Sequence, residues 1–263
     1  MAPMAEVGQS QPRRPTPELF DGVFSDIARG RRLNELFDEV MGPFPPHVEP
    51  YSMVTRPGLD HVLSLLELEP GAHLVDLCCG RGGIGLWFAQ ESGASVTGVD
   101  FSPAAIAEAE RRAELFLGVR ATFRVADARE TPLEAQSVDA LVCIDALQML
   151  PERDRVLGEV GRLLRPGGRA VFTTWETDVK GGVLGQNPMS NVGRLVEAAG
   201  LRVVTREEHP EWDERQRLMF ETAIAEDGDS AEPAVKQLAE EGRRALPRMH
   251  DARRVLVALT TAA

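Results

Sequence analysis

The chain has 263 residues, 43% hydrophobic and 27% charged, enough apolar material for a full core in one large α/β domain with additions. Its formal net charge of -12, with no stretch that concentrates Lys and Arg, argues against a phosphate backbone or an anionic membrane as partner. The N-terminus lacks a signal-peptide apolar stretch and no segment reaches the roughly 18 apolar residues of a membrane span, so a cytoplasmic protein is expected.

Residues 1–16 are rich in Pro, Gln and Ala without periodicity and are expected to be a disordered tail. From Pro17, Leu19, Phe20, Val23, Phe24 and Ile27 recur at helical spacing, and after Gly30 the set Leu33, Leu36, Phe37, Val40 and Met41 repeats it. A Pro-rich stretch over 42–50 interrupts the pattern before Leu59, Val62, Leu63 and Leu66 mark another helix. Residues 17–69 are therefore predicted to form an N-terminal helical cap, with the remaining domain over 70–263. Leu74 to Leu77 then read as an apolar strand, Gly80, Gly82 and Gly83 as a tight turn, and Ile84, Leu86, Trp87 and Phe88 as the start of a helix. The spacing Gly80-x-Gly82-x-x-Gly85 matches a dinucleotide fingerprint, a weak signal alone. Asp76, at the strand end just before the glycines, would repel a pyrophosphate and attract a cofactor that carries an ammonium and a sulfonium.

With Asp76 placed ahead of Gly80 and Gly82, the chain resembles the class I S-adenosylmethionine (SAM) dependent methyltransferases of small-molecule type. The first motif of that family is an acid, any residue, then Gly-x-Gly-x-Gly. Cys78 stands where the pattern has its first glycine and is expected to hold an ordinary backbone conformation rather than a positive φ. Ser95 to Val99 reads as the second strand, ending in Asp100, whose carboxylate can accept from two ribose hydroxyls, with Phe101 beside it as a further cofactor contact. Ser102 and Pro103 cap a helix whose buried face is Ile106, Ala109, Ala113 and Leu117. The strand Ala121 to Val125 runs into Asp127 and Ala128, to which the resemblance gives the adenine amine and the adenine ring respectively.

Val138 to Ile144 is the fourth strand and ends in Asp145; Pro151 opens a helix carrying Val156, Leu157, Val160, Leu163 and Leu164. The run Leu163 to Gly168 is a hallmark of the resembling family, in which Pro166 and Gly167 stop the helix and turn the chain into the strand Ala170 to Trp175. A helix over Val192 to Ala199 and strands over Leu201 to Thr205 and Arg254 to Thr260 complete the pattern. About 48 residues separate those two strands, too many for a bare loop. Trp212, Leu218, Met219, Phe220 and Ile224 predict one helix there, and Val235, Leu238 and Leu246 a second that stops before Pro247. The resemblance implies that this helical insertion, residues 207–253, lies over the active-site mouth.

The fold expected is a Rossmann-like α/β protein with a seven-stranded mixed sheet, order 3-2-1-4-5-7-6 and strand 7 antiparallel, with helices on both faces. The cofactor is expected to be S-adenosyl-L-methionine, with S-adenosyl-L-homocysteine (SAH) as product, held by Tyr51, Asp76, Cys78, Gly80, Gly82, Asp100, Phe101, Asp127, Ala128 and Asp145. Asp145 is the leading candidate for a base or a stabiliser of a cationic intermediate, against the alternatives of a helix cap or a contact to the cofactor amino group. Tyr51, Glu176, His209 and His250 are further catalytic candidates, Trp175 a candidate pocket wall. Cys78, Cys79 and Cys143 lack metal-ligand spacing, so neither a metal site nor a disulfide framework is expected. The function implied is methyl transfer to a small organic acceptor at oxygen, carbon or nitrogen, conceivably in secondary metabolism. The alternatives are a protein of the same fold that binds the cofactor without methyl transfer, such as a rearrangement catalyst, and a nicotinamide-dependent oxidoreductase. Neither the acceptor nor the oligomeric state follows from the residues.

Overall fold

The computed structural model describes Thr16 and residues 30–177, 191–228 and 232–261. The tail and the first cap helix expected from Pro17 fall outside them, Thr16 apart. The cap comprises α1 (Arg31–Met41) and α2 (Arg56–Leu65). Thr55 starts α2 by accepting from the Gly58 N–H at 3.3 Å, with Pro57 in the first turn. The core then alternates β1 (His73–Leu77), α3 (Gly83–Ser92), β2 (Ser95–Asp100), α4 (Pro103–Ala113), β3 (Arg120–Val125), β4 (Val138–Ile144), α5 (Arg153–Leu163), β5 (Leu164–Thr177) and α6 (Val192–Ala198). It ends with β6 (Leu201–Glu208), the insertion helices α7 (Pro210–Glu226) and α8 (Pro233–Ala245), a 3₁₀ turn over Leu246–Asp251, and β7 (Ala252–Thr261).

The strand order is β3-β2-β1-β4-β5-β7-β6, with β1 to β5 parallel to one another and β7 antiparallel to both β5 and β6. The order reverses direction between β1 and β4, the position where an open α/β sheet leaves a crevice at its carboxyl ends. Helices cover both faces, which is why β1 and β4 read as nearly continuous apolar runs. One face of the sheet buries Leu77, Phe172 and Val257 against α5 and α6, and the other buries Leu74 and Leu256 against α2 and against Trp87 and Phe88 of α3.

A third core joins the cap to the insertion. Leu36 and Phe37 of α1 pack with Met219 and Phe220 of α7 and with Val235 and Leu238 of α8, all buried. Each such side chain contributes about 1.5–3 kcal/mol by leaving water, so the cap and the insertion stabilise one another although nearly 200 residues apart in sequence. The sheet margins differ from the sequence reading: β5 starts at Leu164, β6 continues to Glu208 and α5 starts at Arg153. The polar ends of β5 and β6 are held by register with β7, from Thr177↔Ala252 and Glu208↔Val255 onward, and pairing extends a strand beyond its apolar residues.

Candidate cofactor and acceptor site

A cavity of about 470 Å³ opens at the carboxyl ends of β1 to β5, a size usual for a small-molecule site of roughly 300–1,000 Å³. One end is built by the turn after β1. There the chain leaves the strand with Cys78 at φ +62°, Gly80 at +51° and Gly82 at +76°. The expectation that Cys78 would keep an ordinary backbone is therefore corrected: the turn begins at once after Leu77, and a cysteine takes the left-handed conformation at a cost of roughly 1–2 kcal/mol. Its side chain packs on the core beneath the sheet rim. Gly82 is required twice, by its positive φ and because a Cβ there would lie 2.9 Å from Ala109 and Phe123.

Two carboxylates face this end. Asp100 is 5% exposed, and accepts from the Gly80 N–H at 2.9 Å and the Ser102 N–H at 2.9 Å, so it fixes the glycine turn as well as lining the cavity. Asp76 is 4% exposed and accepts from the Gly85 N–H at 3.1 Å. Burial pushes the Asp76 carboxyl up to about 7, with the Asp100 charge adding to the effect and the Gly85 N–H opposing it. A buried carboxylate with no cation among the groups acting on it is a site suited to an ammonium. Phe101, Asp127 and Ala128 line the same end. The Asp127 carboxylate is occupied, however: Arg129 donates to it from its backbone N–H at 2.8 Å and its guanidinium at 2.6 Å, and also pairs with Glu152. The guanidinium beside it holds the Asp127 carboxyl below its usual range. An adenine amine at Asp127 would share that carboxylate with Arg129 or displace it.

A strap over residues 47–54 crosses the cavity and is clamped at both ends. At one end Arg112 donates to the His47 carbonyl at 2.6 Å and the Glu49 carboxylate at 2.9 Å, while Arg81 donates to the Glu49 carbonyl at 3.0 Å. Burial pushes the Arg81 guanidinium down to about 10. The strap lies so close to the glycine turn that a Cβ on Gly83 would sit 1.8 Å from the Val48 carbonyl oxygen. At the other end Asp145 accepts from the Met53 N–H at 2.8 Å and the Ser52 hydroxyl at 3.0 Å.

Asp145 is thus a junction. It also accepts from the Thr173 hydroxyl at 2.9 Å and, on both oxygens, from the Arg254 guanidinium at 2.7 Å. Arg254, on β7, is 1% exposed, lies 5.3 Å over the Trp175 ring and 6.0 Å from that of Trp212, and donates to Gln216 at 3.3 Å. Its pairing with a buried guanidinium leaves Asp145 serving as an anchor of the strap. Asp145 remains a cavity-lining residue, as expected.

Three catalytic candidates are not brought to the cavity. Glu176 follows Trp175 by one residue and so points to the opposite face of β5. There it is 1% exposed, accepts from the Val192 N–H at 2.7 Å and pairs with Arg206 at 2.6 Å. His209 stacks on Trp212 with ring centroids 3.8 Å apart and bonds Glu211 at 2.7 Å. His250 is exposed beside Asp251 on the 3₁₀ turn. Tyr51 and Trp175 do line the cavity. The sequence reading missed Arg254, Gln216 and Glu241, which complete the wall. Gln216 falls four residues after Trp212 and Glu241 three after Leu238, so both are polar residues on apolar helical stripes, a signal that was there to be used.

Fold and cavity together define a Rossmann-like protein with a crevice at the sheet's switch point, lined by the strap and by residues of the helical insertion. Residues 74–168 match a family model described as a methyltransferase domain. The chain is 31% identical over 128 residues to methyltransferase GfsG of Streptomyces halstedii, covering 48% of this chain and 46% of that one. It is 32% identical over 157 residues to the ubiquinone/menaquinone biosynthesis C-methyltransferase UbiE of Acidiphilium cryptum, covering 58% and 63%. Among solved structures, Haemonchus contortus phosphoethanolamine N-methyltransferase 2, in complex with phosphomonomethylethanolamine and SAH, superposes with a TM-score of 0.70 at 19% identity. That match covers 92% of this chain and 60% of the other. Residues 74–168 thus carry a methyltransferase domain, and the matched stretches span about half to two thirds of the length of the two curated relatives.

Proposed function

We propose that this chain binds SAM at the β1–β2 rim and transfers its methyl group to a small, largely apolar organic acceptor held beneath the insertion. The observation that carries this reading is the unpaired, buried Asp76 beside Asp100 at one end of a cavity whose other end is walled by Met53, Trp175 and insertion residues. Asp76 suits the ammonium, Asp100 the ribose, and Phe101 and Ala128 the adenine. When bound, the sulfonium supplies an already activated methyl group, so the protein's task is alignment and exclusion of water. The strap and the insertion supply both. Its clamps at Glu49 and Asp145 fix the strap on either side of Tyr51, and α7 and α8 close the acceptor end. The acceptor would meet Tyr51, Met53, Met149, Leu150 and Trp175, with Gln216, Gln237, Glu241 and Arg244 as polar groups of the same wall.

Isothermal calorimetry with SAH, SAM and NAD tests the cofactor assignment, and methyl-labelled SAM with a panel of small acceptors tests the reaction. SAH and SAM are expected to bind and NAD to fail. Tight NAD binding with none for SAH would refute the cofactor; binding of SAM without label transfer to any acceptor would favour a fold used without methyl transfer.

A further inference from the structure

Among the described residues, Glu241 is the one insertion carboxylate that lines the cavity. It lies on α8 beside Leu238 and Gly242 of the buried stripe, and is half-buried at the cavity wall. Tyr51, from the strap, lines the same cavity, and its hydroxyl favours the ionised form of the Glu241 carboxyl. The strap clamps therefore fix Tyr51 at the wall that Glu241 shares. From the geometry of the cavity we propose that Glu241 is the proton acceptor of the reaction, that Tyr51 positions it, and that the acceptor class is a neutral compound methylated on a hydroxyl oxygen. The inference rests on the methyltransferase reading above.

Charge at the acceptor end favours a neutral substrate. The groups there are the Arg254–Asp145 pair, Arg244 and Glu241, with Gln216 and Gln237 neutral. Two guanidiniums offset two carboxylates, and a bound sulfonium adds one further positive charge, so a cationic amine is disfavoured. A neutral hydroxyl is not, but it must lose its proton as it is methylated. The acceptor oxygen forms its bond to the methyl carbon as the S–CH3 bond breaks, the electron pair of that bond stays on sulfur as a thioether, and the O–H proton passes to a Glu241 oxygen. All atoms and charges are then accounted for. Asp145 cannot substitute, because both its oxygens are held by Arg254.

The environment suits a base. Burial raises the Glu241 carboxyl above the usual glutamate range, opposed by the Arg244 guanidinium and by the Tyr51 hydroxyl. The Arg254–Asp145 pair lines the same cavity from β7 and the end of β4. Gln216 faces it from α7, and α1 contributes apolar Phe37 and Met41 to the packing beneath.

The test uses Glu241→Gln and Tyr51→Phe in the full chain, with methyl-labelled SAM and matched panels of neutral phenols and alcohols, and of primary and secondary amines. Label is expected on hydroxyl compounds. E241Q should lower turnover by roughly 10²-fold or more while SAH affinity is unchanged, and should abolish the acid limb of the pH–rate profile. Y51F should move that limb to higher pH, because Tyr51 stabilises the ionised carboxylate. A readout without substrate is an infrared titration of wild type minus E241Q, expected to show a carboxyl band that protonates above the usual glutamate range. Normal SAH binding with transfer only to amines, with no hydroxyl compound labelled, or with E241Q as fast as wild type, overturns the inference and leaves the cofactor reading standing. Loss of SAH binding by the wild type would instead sink the methyltransferase reading itself.

Discussion

Replacing Asp145 by Asn separates an anchoring carboxylate from a catalytic one. The backbone there has φ +52°, a conformation that Asn tolerates about as well as Asp, so the substitution tests the side chain alone. One amide oxygen can keep either the Met53, Ser52 and Arg254 donors on one side or the Thr173 and Arg254 donors on the other. The amide nitrogen then faces the Arg254 guanidinium or the Met53 N–H, donor against donor. Arg254 is 1% exposed and Asp145 11%, so water cannot replace the lost charge. Leaving a buried cation unpaired costs about 3–5 kcal/mol, which for a domain of this size lowers the melting temperature by on the order of 10 °C. Scanning calorimetry or urea unfolding reads this directly. The double variant with Arg254→Gln should be more stable than the two single losses would predict if added, because the second change removes the stranded charge. A melting temperature unchanged in D145N, with turnover falling by about 10²-fold, would refute the anchoring role and return Asp145 to the position of base.

Asp76 makes cofactor affinity depend on pH. Burial pushes its carboxyl up to about 7, and pairing with the cofactor ammonium, as proposed, requires the ionised form. SAH affinity is therefore complete above that value and lost as pH falls, by up to ~10-fold per unit well below it; a flat titration from acid to neutral pH would exclude the pairing. Asp100→Ala removes the acceptor for the Gly80 and Ser102 N–H groups and, on the proposed reading, for the ribose. SAH binding should weaken by at least about 10-fold, and an unchanged dissociation constant would remove Asp100 from the site. Gly83→Ala drives a Cβ into the Val48 carbonyl, so the strap must lift. Hydrogen exchange over residues 47–54 should accelerate and SAH bind more weakly, whereas unchanged exchange would show the strap is not seated on the turn.

The cofactor end and its scaffold were legible in the sequence because they are local. An apolar run of strand length, a carboxylate at its end and glycines at the turn place Asp76, Gly80 and Gly82 within one strand–helix unit, and the next unit places Asp100 likewise. Each is positioned by backbone geometry a few residues away, and the order of such units fixes the sheet. The acceptor end was not legible, since its groups come from elements that meet only after folding. Tyr51 belongs to the strap, Asp145 to β4, Glu241 to α8 and Arg254 to β7, and no spacing relates them. Asp145 looked like a free acid because the residue that claims its charge lies 109 positions away. Glu176 looked like a pocket residue until the alternation of β5 turned it to the other face, and His209 until it stacked on Trp212. Sequence alone determined the sheet, the glycine turn and the carboxylates at its rim. Tertiary packing decided which charges are left unpaired to do chemistry, because pairing depends on distances between side chains that the chain brings together only in the folded state.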